Sequence, residues 1–150
     1  MTSLDIKILR LSSSLHLLSP SIGPSEDPRR LIEEGNSSLK EGDLDHALNS
    51  YQRAARVRPS SSAERRSALV LGMMGRYMEA IASLDLAAEM EPLDPMPWIF
   101  RGFIFWRLER WQEATASFER AVALRPEEEY ARYCRSISVE EINKRRARRF

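Results

Sequence analysis

The chain has 150 residues, 43% of them apolar and 30% charged, enough for one modest core in a soluble globular protein. A formal net charge of +1 excludes a polyelectrolyte that would bind nucleic acid over its whole surface, and no stretch approaches the roughly 18 apolar residues of a membrane span. One cysteine, Cys134, excludes an internal disulfide, and with only His16 and His46 as imidazoles it leaves no zinc-ligand set.

Residues 1–26 read as an N-terminal extension and linker. "MTSLDIKILRLSSSLHLLSP" is rich in leucine and serine, as organelle presequences are, but it contains Asp5 and little arginine. Lys7 and Arg10 also break the apolar run that a secretory signal needs. Leu4, Ile8, Leu11, Leu15 and Leu18 make an apolar stripe if helical, whereas Leu4, Ile6 and Ile8 alternate as a strand would. The segment is expected to be flexible or partner-dependent, with a targeting peptide, an intramolecular ligand and a partner-binding arm all open. "LLSPSIGPSEDP" joins it to the rest as a proline- and serine-rich linker.

From residue 27 a phrase recurs: "GDLDHALNSY" at 42–51, "GRYMEAIASL" at 75–84 and "ERWQEATASF" at 109–118, spaced by 33 and 34 residues. Its columns hold Ala47, Ala80 and Ala114, then Tyr51, Leu84 and Phe118, then Ala54, Ala87 and Ala121. Small, large and small residues at +0, +4 and +7 share one helix face, and Pro59, Pro92 or Pro126 closes each unit. The pattern predicts helices over 44–57, 77–90 and 111–124. A second helix precedes each, starting in "DPRRLIEEGNSSLK", "SSSAERRSALVLGMM" and "LDPMPWIFRGFIFWRL". Asp27–Pro28 and Asp94–Pro95 are start signals for the first and third of these. Gly42 and Gly75 supply the turn between paired helices, and Glu109 takes that place in the third unit.

After Pro126, Tyr130, Tyr133, Cys134 and Ile137 fall on one side of a helix over 127–137, suited to cap the last apolar face. Glu127 to Glu129 then lie in its first turn, where the helix dipole favours negative charge. Ser138 and Glu141 form a capping-box pattern that predicts a fresh start, leading into a basic tail over 138–150. Lys144, Arg145, Arg146, Arg148 and Arg149 in that tail are either a solvated helix end or a contact for nucleic acid, nuclear import or a membrane surface.

The three units, at about 27–60, 61–93 and 94–127, resemble the tetratricopeptide repeat. The third carries the likeness best, with Trp98, Gly102, Phe105, Ala114, Phe118 and Pro126. The first has Leu31 in place of the tryptophan and Ser38 where a large residue is usual. The second has Glu64 and Ala68 in place of tryptophan and glycine. The resemblance implies an all-α fold of antiparallel helix pairs stacked as a short right-handed α-solenoid, with a concave groove formed by the first helix of each pair.

On that resemblance the groove would present Arg29, Ile32, Asn36, Leu39 and Lys40 from the first unit. Ser62, Arg65, Leu69, Gly72 and Met73 would come from the second, and Met96, Ile99, Phe103, Trp106 and Arg107 from the third. Apolar residues with scattered positive charge suit an apolar or amphipathic segment of a partner protein with acidic flanks. The alternative for Met73, Phe103 and Trp106 is packing between helices. Relatives that hold acidic chaperone tails use a carboxylate clamp. Here Asn36 matches one clamp asparagine, but Ile32, Arg66, Met96 and Phe100 occupy the other places, which disfavours that ligand.

No glycine-rich phosphate loop, nucleophile elbow or spaced metal ligands occur, so neither catalysis, a cofactor, a metal nor a small-molecule substrate is expected. The expected role is a non-catalytic protein-interaction module: an adaptor, an assembly factor or a complex subunit. Two alternatives are a chaperone for a secreted or unassembled partner, and a nuclear or nucleic-acid-associated component using the basic tail. The single cysteine suits a reducing compartment, the cytoplasm first, with nucleus and organelle open.

Overall fold

The computed structural model describes residues 26–148, which form seven α-helices and, among the described residues, no strand. In chain order these are α1 (Pro28–Glu41), α2 (Leu44–Val57), α3 (Ser61–Met73), α4 (Tyr77–Met90), α5 (Met96–Arg107), α6 (Trp111–Leu124) and α7 (Glu129–Ala147). α2, α4 and α6 coincide with the helices expected from the recurring phrase. The expectations for the N-terminal stripe, and for Arg149 of the tail, lie outside the described residues.

Local chemistry sets the helix ends. The Asp27 carboxylate accepts the Arg29 N–H at 3.0 Å, with Pro28 in the first turn, and the Asp43 carboxylate accepts the His46 N–H at 3.0 Å to start α2. At α5 the helix begins one residue later than the Asp94–Pro95 signal suggests, with Pro95 as cap and the Asp94 carboxylate accepting the Met96 N–H at 3.0 Å. The turn inside each pair has one design in all three units. The N–H groups of Asp43, Arg76 and Arg110 donate to the carbonyls of Ser38, Leu71 and Phe105 at 2.9, 2.8 and 2.9 Å. This turn requires a left-handed residue, and Gly42 and Gly75 supply it at φ 82° and 77°. Glu109 adopts φ 56° in the third unit, a conformation costly for a residue with a Cβ.

Helices pack on their neighbours in chain order, and α3 also touches α5. The three repeat columns form the seams of this stack. Ala47, Ala80, Ala114, Ala87, Ala121, Tyr51 and Phe118 are fully buried, and Ala54 and Leu84 are 1% exposed. The alanines let helices approach closely, and each large residue fills the gap beside them. Tyr51 and Phe118 press against Gly35 and Gly102: a Cβ on either glycine would lie 2.5 Å from the facing ring. In the middle unit both partners change together, Ala68 standing for glycine and Leu84 for the aromatic, so the smaller partner leaves room for the methyl group.

The expected division after residue 137 is not present. α7 runs unbroken through Ser138, whose buried hydroxyl donates back to the Cys134 carbonyl at 2.8 Å and so does not cap a new helix. The packing face of α7 also differs from expectation. Ala131, Cys134 and Ser138 are buried and Ile137 is partly so, whereas Tyr130 and Tyr133 are 55% and 62% exposed. The shift places small residues against α6 and turns both tyrosines toward the surface.

Candidate functional site

An open cleft of about 720 Å³ lies between α3 and α5, closed by residues of α4 and α7. Leu69 and Met73 stand along the α3 side, 46% and 56% exposed, one turn apart on the same face. Phe103 of α5 lies opposite, its ring edge-on to the buried Phe118 at 5.4 Å and tilted against Tyr130 at 5.6 Å. Packing against Phe118 fixes the Phe103 ring in place, so the cleft has a rigid aromatic wall. Gly72 opens the space, since a Cβ there would meet nothing within 4 Å.

Among the described residues, Arg107 is the one charged residue lining the cleft. The nearby Tyr77 side chain raises its pKa above the ordinary arginine value. Among the described residues no carboxylate forms a salt bridge with it. The site is therefore an apolar slot with one positive charge at its edge, able to bury apolar side chains beside an acid.

Of the residues expected to face the groove, Leu69, Gly72, Met73, Phe103 and Arg107 meet here. Others do not. Ile99 is 2% exposed and belongs to the core, because α5 turns that side toward its neighbours. Trp106 packs edge-on against Trp111 at 5.2 Å, and Met96 is half-buried against the core. Arg65 is taken by Asp94 at 3.3 Å. In the first unit Ile32 and Leu39 are half-buried against the core, and Lys40 is exposed on the last turn of α1, away from the cleft. The Asn36 carboxamide oxygen accepts both the Tyr51 hydroxyl and Arg66, each at 2.8 Å, so the matching clamp asparagine already has two partners.

Sequence reasoning missed Tyr130, which it assigned to the cap. The signal was present in the period: Tyr130 follows Met96, a residue expected to face the groove, by 34 residues. Phe100 also lines the cleft, where only its unsuitability for a clamp had been noted.

The basic run is not a free polycation. Lys144 pairs with Glu140 at 2.7 Å. Arg145 pairs with Glu141 at 3.2 Å and with Glu109 at 3.1 Å, and it stacks over the Trp111 ring at 4.9 Å. Arg146 and Arg148 are exposed without a salt bridge among the described residues. Elsewhere, burial pushes the Cys134 thiol pKa up, which disfavours the thiolate. Among the described residues no group of three or more His, Cys, Asp or Glu is placed to hold a metal ion, and no helix is long and apolar enough to cross a membrane.

Comparison with known proteins gives consistent results. The family model described as tetratricopeptide repeat matches residues 65–129. A curated relative, the tetratricopeptide repeat-containing protein trd-1 of Caenorhabditis elegans, is 30% identical over 105 residues, covering 66% of this chain. The chain spans only 14% of that relative's length. Among solved structures, the Sgt2 tetratricopeptide domain from Aspergillus fumigatus matches with a TM-score of 0.74 at 16% identity, covering 85% of this chain and 86% of that one. The first tetratricopeptide domain of Spaghetti (RPAP3), solved bound to the HSP90 peptide SRMEEVD, matches at 0.71 and 21% identity, covering 81% and 99%. These two share the fold. The matched family model and the curated relative, with the buried repeat columns and the common turn geometry, identify the chain as a tetratricopeptide-repeat protein.

Proposed function

We propose that this chain is a non-catalytic module that holds an apolar or amphipathic segment of a partner protein in the cleft between α3 and α5. Tetratricopeptide domains are protein-interaction modules, and the solved neighbours include one bound to a chaperone peptide. The observation that carries the reading is the cleft itself. Leu69 and Met73 remain about half exposed beside the Phe103 ring, in a protein whose repeat columns are otherwise sealed. Burying such side chains under a partner yields about 25 cal/mol per Å² of apolar surface removed from water.

The partner differs from the chaperone tails held by related domains. Three of the clamp places carry Ile32, Met96 and Phe100, and Asn36 is engaged by Tyr51 and Arg66. The peptide SRMEEVD is expected to bind this chain at least tenfold more weakly than it binds a clamp-bearing neighbour, measured by calorimetry side by side. The test of the main reading is affinity capture with mass spectrometry, using wild type and the Leu69→Glu, Met73→Glu double variant. Both positions are exposed, so the variant keeps its fold by circular dichroism. Partners lost selectively from the variant support the reading, and an unchanged partner set refutes it.

A further inference from the structure

Resting on that reading of the cleft, we infer that its occupant is an amphipathic α-helix of another protein, bearing an acidic residue beside its apolar face, and not an extended peptide. The inference comes from what the cleft lacks. An extended segment brings one backbone N–H and one C=O per residue, and each one buried without a partner costs on the order of 1–3 kcal/mol. The lining offers almost nothing to receive them. Among the described residues it contains no Asn, Gln, Ser or Thr, and its side-chain hydrogen-bonding groups are the Tyr77 and Tyr130 hydroxyls and Arg107.

Two backbone N–H groups at the cleft are already committed. At the Met74–Gly75 turn the Met74 N–H donates to the Val70 carbonyl at 2.9 Å and the Gly75 N–H to the Gly72 carbonyl at 3.1 Å. Asn36, the asparagine best placed by sequence to hold a peptide backbone, lies outside the cleft with its oxygen occupied. A helix satisfies its own backbone and presents only side chains at i, i+3, i+4 and i+7, which is what an apolar slot can accept.

Charge selects between a foreign helix and this chain's own leucine-rich stretch. Among the described residues, Arg107 is the only charge in the lining, and it has no carboxylate partner there. The matching occupant carries Asp or Glu next to its apolar stripe. Residues 1–20 carry one acid, Asp5, against Lys7 and Arg10, the wrong balance for that position.

The test is display selection of random 16-residue peptides on the full chain, with the Leu69→Glu, Met73→Glu variant as counter-selection. Cleft-dependent winners are expected to show apolar residues at helical spacing with an adjacent acid. They should become helical on binding, by circular dichroism, and lose at least tenfold in affinity when a central residue is changed to proline. Arg107→Glu should exchange the preference for acid for one for Lys or Arg. Winners with alternating apolar residues, or winners that tolerate the central proline, overturn the helix inference and leave the cleft as a protein-binding site. Absence of any cleft-dependent winner overturns both. Displacement of the winners by a synthetic peptide of residues 1–20, or chain dimers that the winners dissociate, overturns the assignment to another protein.

Discussion

Changing Gly102 to alanine adds one methyl group in the middle of α5 and sets two opposing effects against each other. In an exposed helix interior, Gly→Ala stabilises by about 1 kcal/mol through backbone entropy. At Gly102 the new Cβ would lie 2.5, 2.7 and 2.8 Å from three carbons of the Phe118 ring, where ordinary contact is 3.4–4 Å. Ring or helix must therefore move by roughly 1 Å, a displacement in the range where overpacking costs about 1–3 kcal/mol. Phe118 is 0% exposed and braced by Phe103, so the ring has nowhere to go. The net expectation is a loss of up to about 2 kcal/mol, or a fall in Tm of up to roughly 6 °C. Gly72→Ala is the control: nothing lies within 4 Å of its Cβ, and it should leave stability equal or up to about 1 kcal/mol higher. Adding Phe118→Leu to Gly102→Ala should recover part of the loss, reproducing the Ala68 and Leu84 pairing of the middle unit. Urea unfolding followed by circular dichroism reads all four proteins. Equal or greater stability of Gly102→Ala than Gly72→Ala would refute the close-packing argument.

Three further outcomes follow from other parts of the stack. Glu109→Gly should stabilise by about 0.5–1 kcal/mol in the same urea assay. It relieves the left-handed conformation at φ 56° and gives up only an exposed ion pair with Arg145. Hydrogen bonds from Arg76 and Arg110 hold the Glu79 and Glu113 carboxyls below their ordinary value of 4.5, so their contribution is present above the unfolded-state pKa and is lost as pH falls through the folded one. Stability should therefore decline below about pH 4.5, and less steeply in the Glu79→Gln, Glu113→Gln variant, measured by urea midpoints against pH. With Lys144 and Arg145 engaged, any binding to duplex DNA should show a slope of log affinity against log salt no steeper than about −3, because few cations are free to displace counterions.

The scaffold was readable because its determinants are local and repeated. Ala47, Tyr51 and Ala54 recur as columns, and the same spacing fixes both the helix and the face it buries. The cleft was half readable. Leu69, Met73, Phe103 and Arg107 line it, but Ile99 and Trp106, expected on the same groove face, are taken up by packing. Which groove positions remain open depends on the neighbouring helix, and sequence spacing carries no information on the crossing of two helices. Ser138 shows a further limit, since a capping-box pattern also fits a mid-helix serine that bonds back to the Cys134 carbonyl. Tyr130 was missed because its apolar period suited a cap face, although the small residues Ala131, Cys134 and Ser138 serve that face better against α6.

The methionines allow the most direct check of where a partner sits. Met73 and Met74 line the cleft, whereas Met78 and Met90 are exposed on α4 and absent from the lining, at 66% and 41%. With the methionine methyl groups labelled with carbon-13, the spectrum of the full chain is recorded alone and with a captured partner or selected peptide. The account predicts that the Met73 and Met74 signals shift and those of Met78 and Met90 stay in place. Movement of Met78 and Met90 with Met73 unchanged would contradict it.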